Sequence, residues 1–278
     1  MSRSWILITG CSTGIGRALV AECRAAGWGV VATARDLRAL ADLEDGEDLF
    51  RVDLDVRDGT SIAAAADVCR ELRLVGLVNN AGYGQMGPLE LLRPEELRAQ
   101  FETNVVGLQA VTNAFLPLIR ASTRPGEGRI VHVASVLGRL SIPMAGAYNA
   151  SKHAVVALAE TLRMEIGHEV PVILVEPGAI RTEFRSTLLK AWGDLPERAA
   201  GTPYAQAIRS YAEKRQAFAG KHGLSAEACA RRIVQAMRRS RPPRRVIVGA
   251  DSRWAQVAKA LLPGAVYEWA ARRAYGVR

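Results

Sequence analysis

The stretch WILITGCSTGIG, residues 5–16, decides how the rest of the sequence is interpreted. Its first half is apolar and β-branched and predicts a buried strand, and a helical pattern follows over residues 17–26. Gly10, Gly14 and Gly16 lie between the two, where the backbone turns tightly and a pyrophosphate can approach the free amides of the helix N-terminus. The Gly-x-x-x-Gly-x-Gly spacing differs from the usual Gly-x-Gly-x-x-Gly. The stretch predicts the opening unit of a dinucleotide-binding fold.

Strand and helix patterns alternate along the following residues. Apolar, β-branched runs predict six further strands, at 29–34, 49–52, 74–78, 129–134, 170–175 and 244–249. This alternation predicts an α/β fold: a single-domain Rossmann-type, doubly wound parallel sheet of about seven strands, with helices on both faces. We expect one domain over residues 1–278. It includes a mobile, partly helical, substrate-covering flap at about 183–223 and a basic amphipathic C-terminal end at about 250–278.

Polar and glycine-rich segments follow the predicted strands. In a doubly wound sheet, ligands bind beyond the carboxyl ends of the strands. The segments at these ends are the glycine turn, Arg35, Asp55, Asn79, Ser135 and Pro177. We therefore expect one ligand site along this edge.

Tyr148 and Lys152 are spaced to act together. Residues at i and i+4 share one face of a helix, and both lie in a helical, alanine-rich run over 145–162. A nearby cation favours phenolate and lowers the pKa of a tyrosine toward the range of acid–base catalysis. A surface tyrosine beside a surface lysine is the alternative when this pair is taken alone.

The end of the second predicted strand bears on the choice of cofactor. An acidic residue there would bind a ribose 2′-hydroxyl, whereas the guanidinium of Arg35 suits a 2′-phosphate. Asp36 is predicted to cap the next helix. We therefore favour NADP(H) and leave NAD(H) as the alternative, with Arg35 as a solvated charge. Arg17 could assist with the phosphate or be solvated.

Four motifs in register resemble the short-chain dehydrogenase/reductase family over about residues 5–182, and more loosely to 249. They are Thr9-Gly10-x-x-x-Gly14-Ile15-Gly16, Asn79-Asn80-Ala81-Gly82, Ser135 placed 13 residues before Tyr148 with Lys152, and Pro177-Gly178. The resemblance implies an oxidoreductase that moves hydride between a nicotinamide and a carbonyl or secondary alcohol. A homodimer or homotetramer is also implied.

The resemblance implies a catalytic set of Asn104, Ser135, Tyr148 and Lys152. Tyr148 exchanges the proton and Lys152 lowers its pKa and holds the nicotinamide ribose. Ser135 binds the substrate oxygen, and Asn104 holds a water for proton relay. The implied cofactor contacts are Gly10, Ser12, Thr13, Gly14, Ile15, Gly16, Arg35, Asp55, Val56, Asn80, Ala81, Gly82, Tyr148, Lys152, Pro177, Gly178, Ile180 and Thr182.

The substrate is the least determined part of the interpretation. Segments 81–87 and 176–184 resemble the steroid- and retinoid-type branch and favour a lipophilic small molecule. The expected apolar lining is Met86, Leu137, Ile142, Pro143, Met144, Leu188 and Trp192, although several of these could instead pack the flap. The alternatives are an NAD-linked dehydrogenase of a small hydroxy compound and a non-catalytic dinucleotide-sensing protein.

Composition and charge narrow the remaining classes. The 278 residues are 49% hydrophobic. The four cysteines are scattered and lack metal-ligand spacing, so we expect reduced thiols and no metal site. We also expect a cytoplasmic protein without a signal peptide or a transmembrane helix. From Arg185 onward 19 basic and 6 acidic residues give +13, which leaves 18 basic and 22 acidic before it, or −4. No nucleic-acid-binding motif accompanies this charge. Weak membrane-surface contact and simple solvation remain the two interpretations.

Three further reactive side chains are interpreted as structural. His132 alternates with apolar residues in a strand, and His153 lies on a different helix face from Lys152. Cys11 is interpreted as a small residue of the glycine turn.

Overall fold

The computed structural model of the protein describes residues 3–182 and 184–276. Glu183, at the start of the predicted flap, and the side chain of Leu188 lie outside the described residues. The strands are β1 (Ser4–Ile8), β2 (Gly29–Ala34), β3 (Leu49–Asp53), β4 (Arg73–Asn79), β5 (Arg129–Val133), β6 (Val172–Pro177), β7 (Ile180–Arg181), β8 (Leu224–Ser225) and β9 (Arg245–Val248).

Eleven α-helices connect and extend these strands within the described ranges. They are α1 (Gly14–Ala25), α2 (Gly59–Val68), α3 (Pro94–Phe101), α4 (Gly107–Ser122), α5 (Gly146–Ile166), α6 (Phe184–Trp192), α7 (Leu195–Arg198), α8 (Ala205–His222), α9 (Ala226–Met237), α10 (Ala250–Leu261) and α11 (Gly264–Tyr275).

Seven parallel strands form the central sheet in the order β3-β2-β1-β4-β5-β6-β9. The predicted fold class is confirmed. Parallel strands need crossover connections, and here those are helices on both faces. β7 and β8 pair separately beyond the sheet.

Two apolar cores lie on opposite faces of the sheet. One packs α1 and α9 against the strands and includes Leu19, Val30 and Ile233. The other packs α2, α4 and α5 and includes Phe115, Leu77 and Leu174. The five inner strands are buried on both faces, as their continuous apolar runs require, whereas the edge strands β3 and β9 are partly exposed.

The run from Pro94 to Ser122 consists of two α-helices joined by a π-helical segment. α3 continues through a π-helical segment, Glu102–Val106, into α4. By length and composition this run could cross a membrane, but Phe115 and Ile119 are fully buried in the core beneath the sheet. It therefore has the packing of a core helix.

Helices and turns alternate over the described part of the predicted flap. α6, α7 and α8 occupy it, and a third apolar cluster joins Trp192, Leu195 and Tyr211 to Met86 and Met144 near the carboxyl edge. We call these three helices the lid. The C-terminal end forms α10 and α11, which are separated at Leu262 and Pro263.

The four cysteines are all buried free thiols in different parts of the fold. Burial raises the pKa of each to about 12: Cys11, Cys23, Cys69 and Cys229. Thiols in this state are poor nucleophiles.

Candidate active site

The glycine turn is held in place by Asn80, which directly follows β4. Gly10 and Gly14 have positive φ values of 72° and 59°, which non-glycine residues rarely adopt. A side chain at Gly16 would collide with the Gly10 carbonyl and the Asn80 amide. The Asn80 side chain donates to the carbonyls of Thr9 (2.9 Å) and Gly10 (3.1 Å). Asn80 therefore fixes the shape of the turn, while its contact with a cofactor stays a prediction.

α1 begins at the glycine turn, and no side chain among the described residues accepts from its first amides. Thr13 precedes the helix and its side chain does not cap it, and the first turn contains no acidic residue. The helix dipole and these amides favour an anion at this point. Thr182 lies beside the turn, with its methyl group 3.2 Å from where a side chain on Gly14 would start.

Arg35 is exposed at the carboxyl end of β2, and no carboxylate among the described residues lies within 4 Å of it. Asp36 caps a one-turn helix, as predicted, through the Arg38 amide. The Arg38 guanidinium also pairs with both Asp36 oxygens at 2.8–3.0 Å and holds the pKa of that carboxyl below its usual range. Arg35 is thus the cation left available at this position.

Asp55 lies at the end of β3 and is already paired. The Arg57 guanidinium contacts it at 2.7 Å and, with a weaker contribution from Arg35, holds the pKa of its carboxyl below its usual range. Its predicted contact with adenine stays a prediction.

Tyr148 and Lys152 lie on one face of α5, with the ammonium 5.8 Å from the phenol ring centre. Lys152 is 6% exposed and donates to the Val133 carbonyl at the end of β5 (2.9 Å). Burial lowers the pKa of Lys152 to about 8. The fold therefore holds a cation in a dry position beside the phenol, where its field is weakly screened.

Asn104 lies in the π-helical segment and is 1% exposed. Its amide oxygen accepts from the Tyr83 amide (3.1 Å), and its nitrogen donates to the Tyr83 carbonyl (3.0 Å) and to Ser151 Oγ (3.1 Å). π-helical turns occur frequently at functional sites. Here the turn ties the loop after β4 to the catalytic helix α5.

Gly82 brings the predicted set together. A side chain on this residue would start 2.9 Å from Asn104 Oδ1 and 3.8 Å from Lys152 Nζ. A glycine is therefore required where the β4 loop passes between the two groups.

Ser135 follows β5 and is 8% exposed. Its oxygen accepts from the Leu137 amide (3.1 Å), which orients the side chain and leaves the hydroxyl proton free to be donated elsewhere. All four residues of the predicted catalytic set thus lie at the carboxyl edge, in the loop after β5, on α5 and in the π-helical turn.

Two features of the site escaped the sequence interpretation. The first is Asp251 of α10, whose carboxylate accepts from the Ala179 amide (2.8 Å) and fills the space that a side chain on Gly178 would occupy. It fixes the Pro177-Gly178 turn. The pairing spans 72 positions, and no local pattern announces it.

The second feature is an ion cluster around Glu176, which is fully buried. Its carboxylate pairs with Arg139, four residues after Ser135 (3.0 Å), and with Arg245 of β9. Gln256 of α10 accepts from Arg245 (2.8 Å), and Glu160 of α5 pairs with Arg139. The cluster joins the loop after β5 to the C-terminal helices.

The predicted apolar lining divides into two groups. Met86, Met144 and Trp192 are buried in the lid cluster, and the Trp192 indole donates to the Met86 carbonyl (2.8 Å). These residues pack the lid. Ile142 is partly buried against the same cluster, as is the catalytic candidate Tyr148, which was not among the predicted lining residues. Leu137 is buried and Pro143 is half-buried.

Three other candidate side chains, those of His132, His153 and Arg17, each contact another residue of the protein. His132 is fully buried beside Asn79 (3.1 Å), and burial lowers its pKa to about 3. His153 is exposed and its ring contacts the Asn149 carbonyl (2.8 Å). Arg17 pairs with Asp42. Over the described ranges, no three His, Cys, Asp or Glu side chains cluster as metal ligands.

Comparison with known proteins gives a consistent set of similarities. Residues 4–191 match the family model described as short chain dehydrogenase. An uncharacterized oxidoreductase YbbO of Escherichia coli K12 is 34% identical over 272 residues, covering 95% of this chain and 92% of that protein. Human 17-beta-hydroxysteroid dehydrogenase type 1 is 34% identical, covering 78% of this chain and 69% of the human protein.

Two further similarities concern the nucleotide. An NADPH-dependent 3-dehydrocapnine reductase of Ornithobacterium rhinotracheale is 31% identical, covering 93% of each chain. The crystal structure of a short chain dehydrogenase/reductase from Burkholderia phymatum in complex with NAD has a TM-score of 0.79 at 28% identity, covering 97% of this chain and 95% of that one.

Proposed function

The chain belongs to the short-chain dehydrogenase family, and we propose that it is an NADP(H)-dependent enzyme for a lipophilic carbonyl or secondary alcohol. Membership makes it an oxidoreductase that acts on CH–OH or C=O groups with a nicotinamide cofactor. The substrate class, the preference for NADP(H) and the residue roles are the proposed part.

The buried Lys152 ammonium beside the Tyr148 phenol is the observation that carries this proposal. A cation at this distance favours the phenolate, so Tyr148 can give up a proton to a forming alkoxide and recover it in the reverse direction. Ser135 has a hydroxyl proton free to donate to the same substrate oxygen. Asn104 fixes the loop and helix that surround the pair.

The residues at the carboxyl edge fit a dinucleotide. The glycine turn and the first amides of α1 receive the pyrophosphate, and Lys152 and the Pro177-Gly178 turn hold the nicotinamide half. When bound, the nicotinamide supplies or accepts the hydride. Ser12, Thr13, Ile15, Val56, Ala81 and Ile180 are proposed as further contacts on the family resemblance.

Arg35 supports the preference for NADP(H). Its guanidinium is exposed and free of carboxylates within 4 Å among the described residues, whereas the neighbouring Asp36 is engaged by Arg38. An engaged carboxylate repels a 2′-phosphate less and binds a 2′-hydroxyl less. This position therefore suits the phosphorylated ribose.

An apolar substrate is supported by the lid. The Tyr148 ring packs against a cluster of apolar lid residues that is contributed from three helices, and the partly exposed Ile142 adjoins it. A pocket wall of this composition favours an apolar molecule with one polar oxygen at Ser135 and Tyr148.

We also propose a cytoplasmic protein that forms a homodimer or homotetramer. Light scattering on the purified protein would test the oligomeric state.

The reaction assignment is tested by Tyr148→Phe. We expect turnover to fall by about 10²–10⁴-fold while cofactor affinity is kept, because only the proton-transferring group is lost. Tyr275→Phe, which changes a tyrosine of α11, is the matched control. The measurement is nicotinamide absorbance with steroids, retinoids, small carbonyls and alcohols. Unchanged turnover of Tyr148→Phe contradicts the assignment.

The cofactor preference is tested by Arg35→Ala. We expect the Kd for NADPH to rise roughly 10–100-fold, because a charged hydrogen bond to phosphate is lost, and the Kd for NADH to change little. Arg70→Ala serves as the control, because it removes the same charge from an exposed residue just before β4, at the opposite end of the strands from Arg35. Equal effects on both nucleotides would refute the role of Arg35.

A further inference from the structure

A row of apolar side chains on α10 and α11 faces solvent. Six large apolar residues are 40–78% exposed, and we call them the C-terminal stripe: Trp254, Val257, Leu261, Leu262, Val266 and Trp269. On α10 the spacing i, i+3, i+7 places three of them on one helix face. Exposed apolar residues on a soluble protein are normally scattered, and a row with two tryptophans that are 71% and 65% exposed requires an explanation.

A surface groove of about 340 Å³ lies where α9, β9 and α10 meet, and four arginines line it. We call it the arginine groove: Arg232, Arg239, Arg245 and Arg253. Among the described residues, no acidic side chain lines it. Within the described part of the chain, Arg245 pairs with Glu176, whereas the other three have no carboxylate within 4 Å.

The charge of this part of the chain is far from balanced. Residues 228–276 contain eleven basic and two acidic residues, a net charge of +9 that equals the net charge of the whole chain. The positive potential is thus concentrated around the groove and the stripe. Arg253 lines the groove and Trp254 follows it in the stripe, so the two features adjoin on α10.

We propose that the C-terminal stripe and the arginine groove form a docking surface for an anionic phospholipid bilayer. Tryptophans prefer the headgroup region, and the apolar side chains of amphipathic helices enter the acyl boundary. Arginines without internal partners bind lipid phosphates and gain from the negative surface potential of anionic lipid. The combination of both features on adjacent helices favours this occupant.

Two other occupants fit less well. A second copy of the chain would bring two strongly positive surfaces together, which charge repulsion opposes. A nucleic acid would satisfy the arginines but offers no apolar environment to the stripe. Both are outcomes of the experiment below.

The inner sides of the same helices reach the active site. Asp251 holds the Ala179 amide (2.8 Å), and the Tyr267 hydroxyl of α11 donates to the Ser141 carbonyl (2.8 Å). The ring of Tyr275 on α11 lies tilted against the ring of Tyr211 in the lid, with ring centres 6.1 Å apart. A bilayer against the stripe therefore lies on the outer side of the helices whose inner side contacts the lid and the turn after β6.

The experiment is co-sedimentation of the full chain with vesicles of phosphatidylcholine, with and without about 30% phosphatidylglycerol. We expect binding to the anionic vesicles, together with a blue shift of tryptophan emission. Weak or equal binding to both kinds of vesicle overturns the proposal.

A matched pair of triple variants separates this groove from general positive charge. Arg232→Gln, Arg239→Gln and Arg253→Gln together are expected to weaken binding roughly 100-fold. Arg70→Gln, Arg98→Gln and Arg124→Gln together remove the same charge elsewhere and are expected to weaken it less than about 3-fold. Equal losses in the two triple variants overturn the assignment of the surface.

A second pair of variants tests the stripe. Trp254→Ser with Trp269→Ser is expected to weaken vesicle binding roughly 10–100-fold and to abolish the emission shift. Met164→Ser, at a residue that is 78% exposed on α5, is expected to leave binding unchanged. If the tryptophan variant binds vesicles like the wild type, the stripe does not enter the bilayer and the proposal fails.

The remaining arms identify the other occupants. If the wild type ignores vesicles and self-associates, and the tryptophan variant is less associated in light scattering, the surface belongs to a second copy. If the wild type ignores vesicles but binds a short DNA duplex, and only the arginine variant loses duplex affinity, the partner is nucleic acid. Either result overturns the membrane assignment.

Discussion

The catalytic helix α5 and the C-terminal helices α10 and α11 reverse the usual distribution of polarity in opposite ways. α5 has 21 residues, nine of them buried, and these include the polar Asn149, Ser151 and Lys152. α10 and α11 have 12 residues each, and Ser252 is their one buried residue. α5 buries polar groups away from water, whereas α10 and α11 expose large apolar groups to water.

The comparison shows how each reversal is compensated. Burying a polar group costs free energy unless it finds a partner, and Lys152 and Ser151 have partners in Val133 and Asn104. The exposed apolar residues of the C-terminal stripe have no comparable compensation within the described chain. Among the described residues, the buried polar groups of α5 are thus largely compensated within the protein, with the Asn149 amide oxygen as an exception, whereas the exposed apolar residues mark a surface that needs another molecule.

Removing the buried cation breaks the catalytic side of the comparison and has the largest expected effect. Lys152→Met keeps the length and apolar stem of the side chain but loses the charge beside Tyr148. We expect turnover to fall about 10²–10⁴-fold, because the phenol loses the group that tunes it. Steady-state turnover with the best substrate of the panel is the measurement, and a loss below about 10-fold would contradict the role.

The same variant has a pH signature in folding. The pKa of Lys152 falls from 10.5 to about 8 in the folded protein, so the unfolded chain binds more protons between these values. Stability from this group therefore rises with pH across that window and is lost as pH falls through 8. Above pH 9 the buried thiols lower the stability as pH rises, but they do so in both the wild type and Lys152→Met. Urea unfolding should give a wild-type minus variant difference that grows with pH, and a constant difference would count against a buried ammonium.

Breaking the link between the two regions has the next largest effect. Glu176→Gln leaves Arg139 and Arg245 around a neutral buried side chain, and we expect the free energy of unfolding to fall by about 3–5 kcal/mol. Glu160→Gln, whose partly exposed side chain pairs with Arg139, is the control and should cost at most about 1 kcal/mol. Similar losses for the two variants in urea unfolding would show that the buried cluster is no stronger than a surface pair.

The exposed row should matter least for folding. Trp254→Ser and Trp269→Ser are each expected to change the free energy of unfolding by less than about 0.5 kcal/mol, because neither side chain contributes much buried area. Trp192→Ser, which empties a buried place in the lid, should cost about 3–5 kcal/mol. A large loss at Trp254 or Trp269 would mean that these side chains pack against the protein in solution.

The sequence predicted the sheet and the elements that carry the catalytic set. The seven strands of the sheet were recognisable because buried parallel strands are continuous apolar runs, and their bounds differ from the prediction by at most two residues. Tyr148 and Lys152 were predicted together because helical spacing is local. Asp36 was predicted as a cap from its position alone.

Other parts of the site could not be predicted because they depend on distant pairs. Glu176 meets Arg139 and Arg245, at separations of 37 and 69 positions. Only the fold brings these charges together. The π-helical turn around Asn104 was also missed, since its pattern over 103–119 is that of an ordinary helix. The irregularly spaced apolar residues of the predicted flap could not predict the lid cluster, because that cluster forms by packing against the distant Met86 and Met144.

The four buried thiols can report where and how readily the folded structure opens. An alkylating reagent reacts with each thiol only when the surrounding structure separates, so the labelling rate measures local opening. Cys11 lies in the glycine turn, Cys23 in α1, Cys69 after α2 and Cys229 in α9. The order in which they react therefore ranks four regions by their local stability without any added probe, and protection of Cys11 by a nucleotide would measure occupancy of the turn directly.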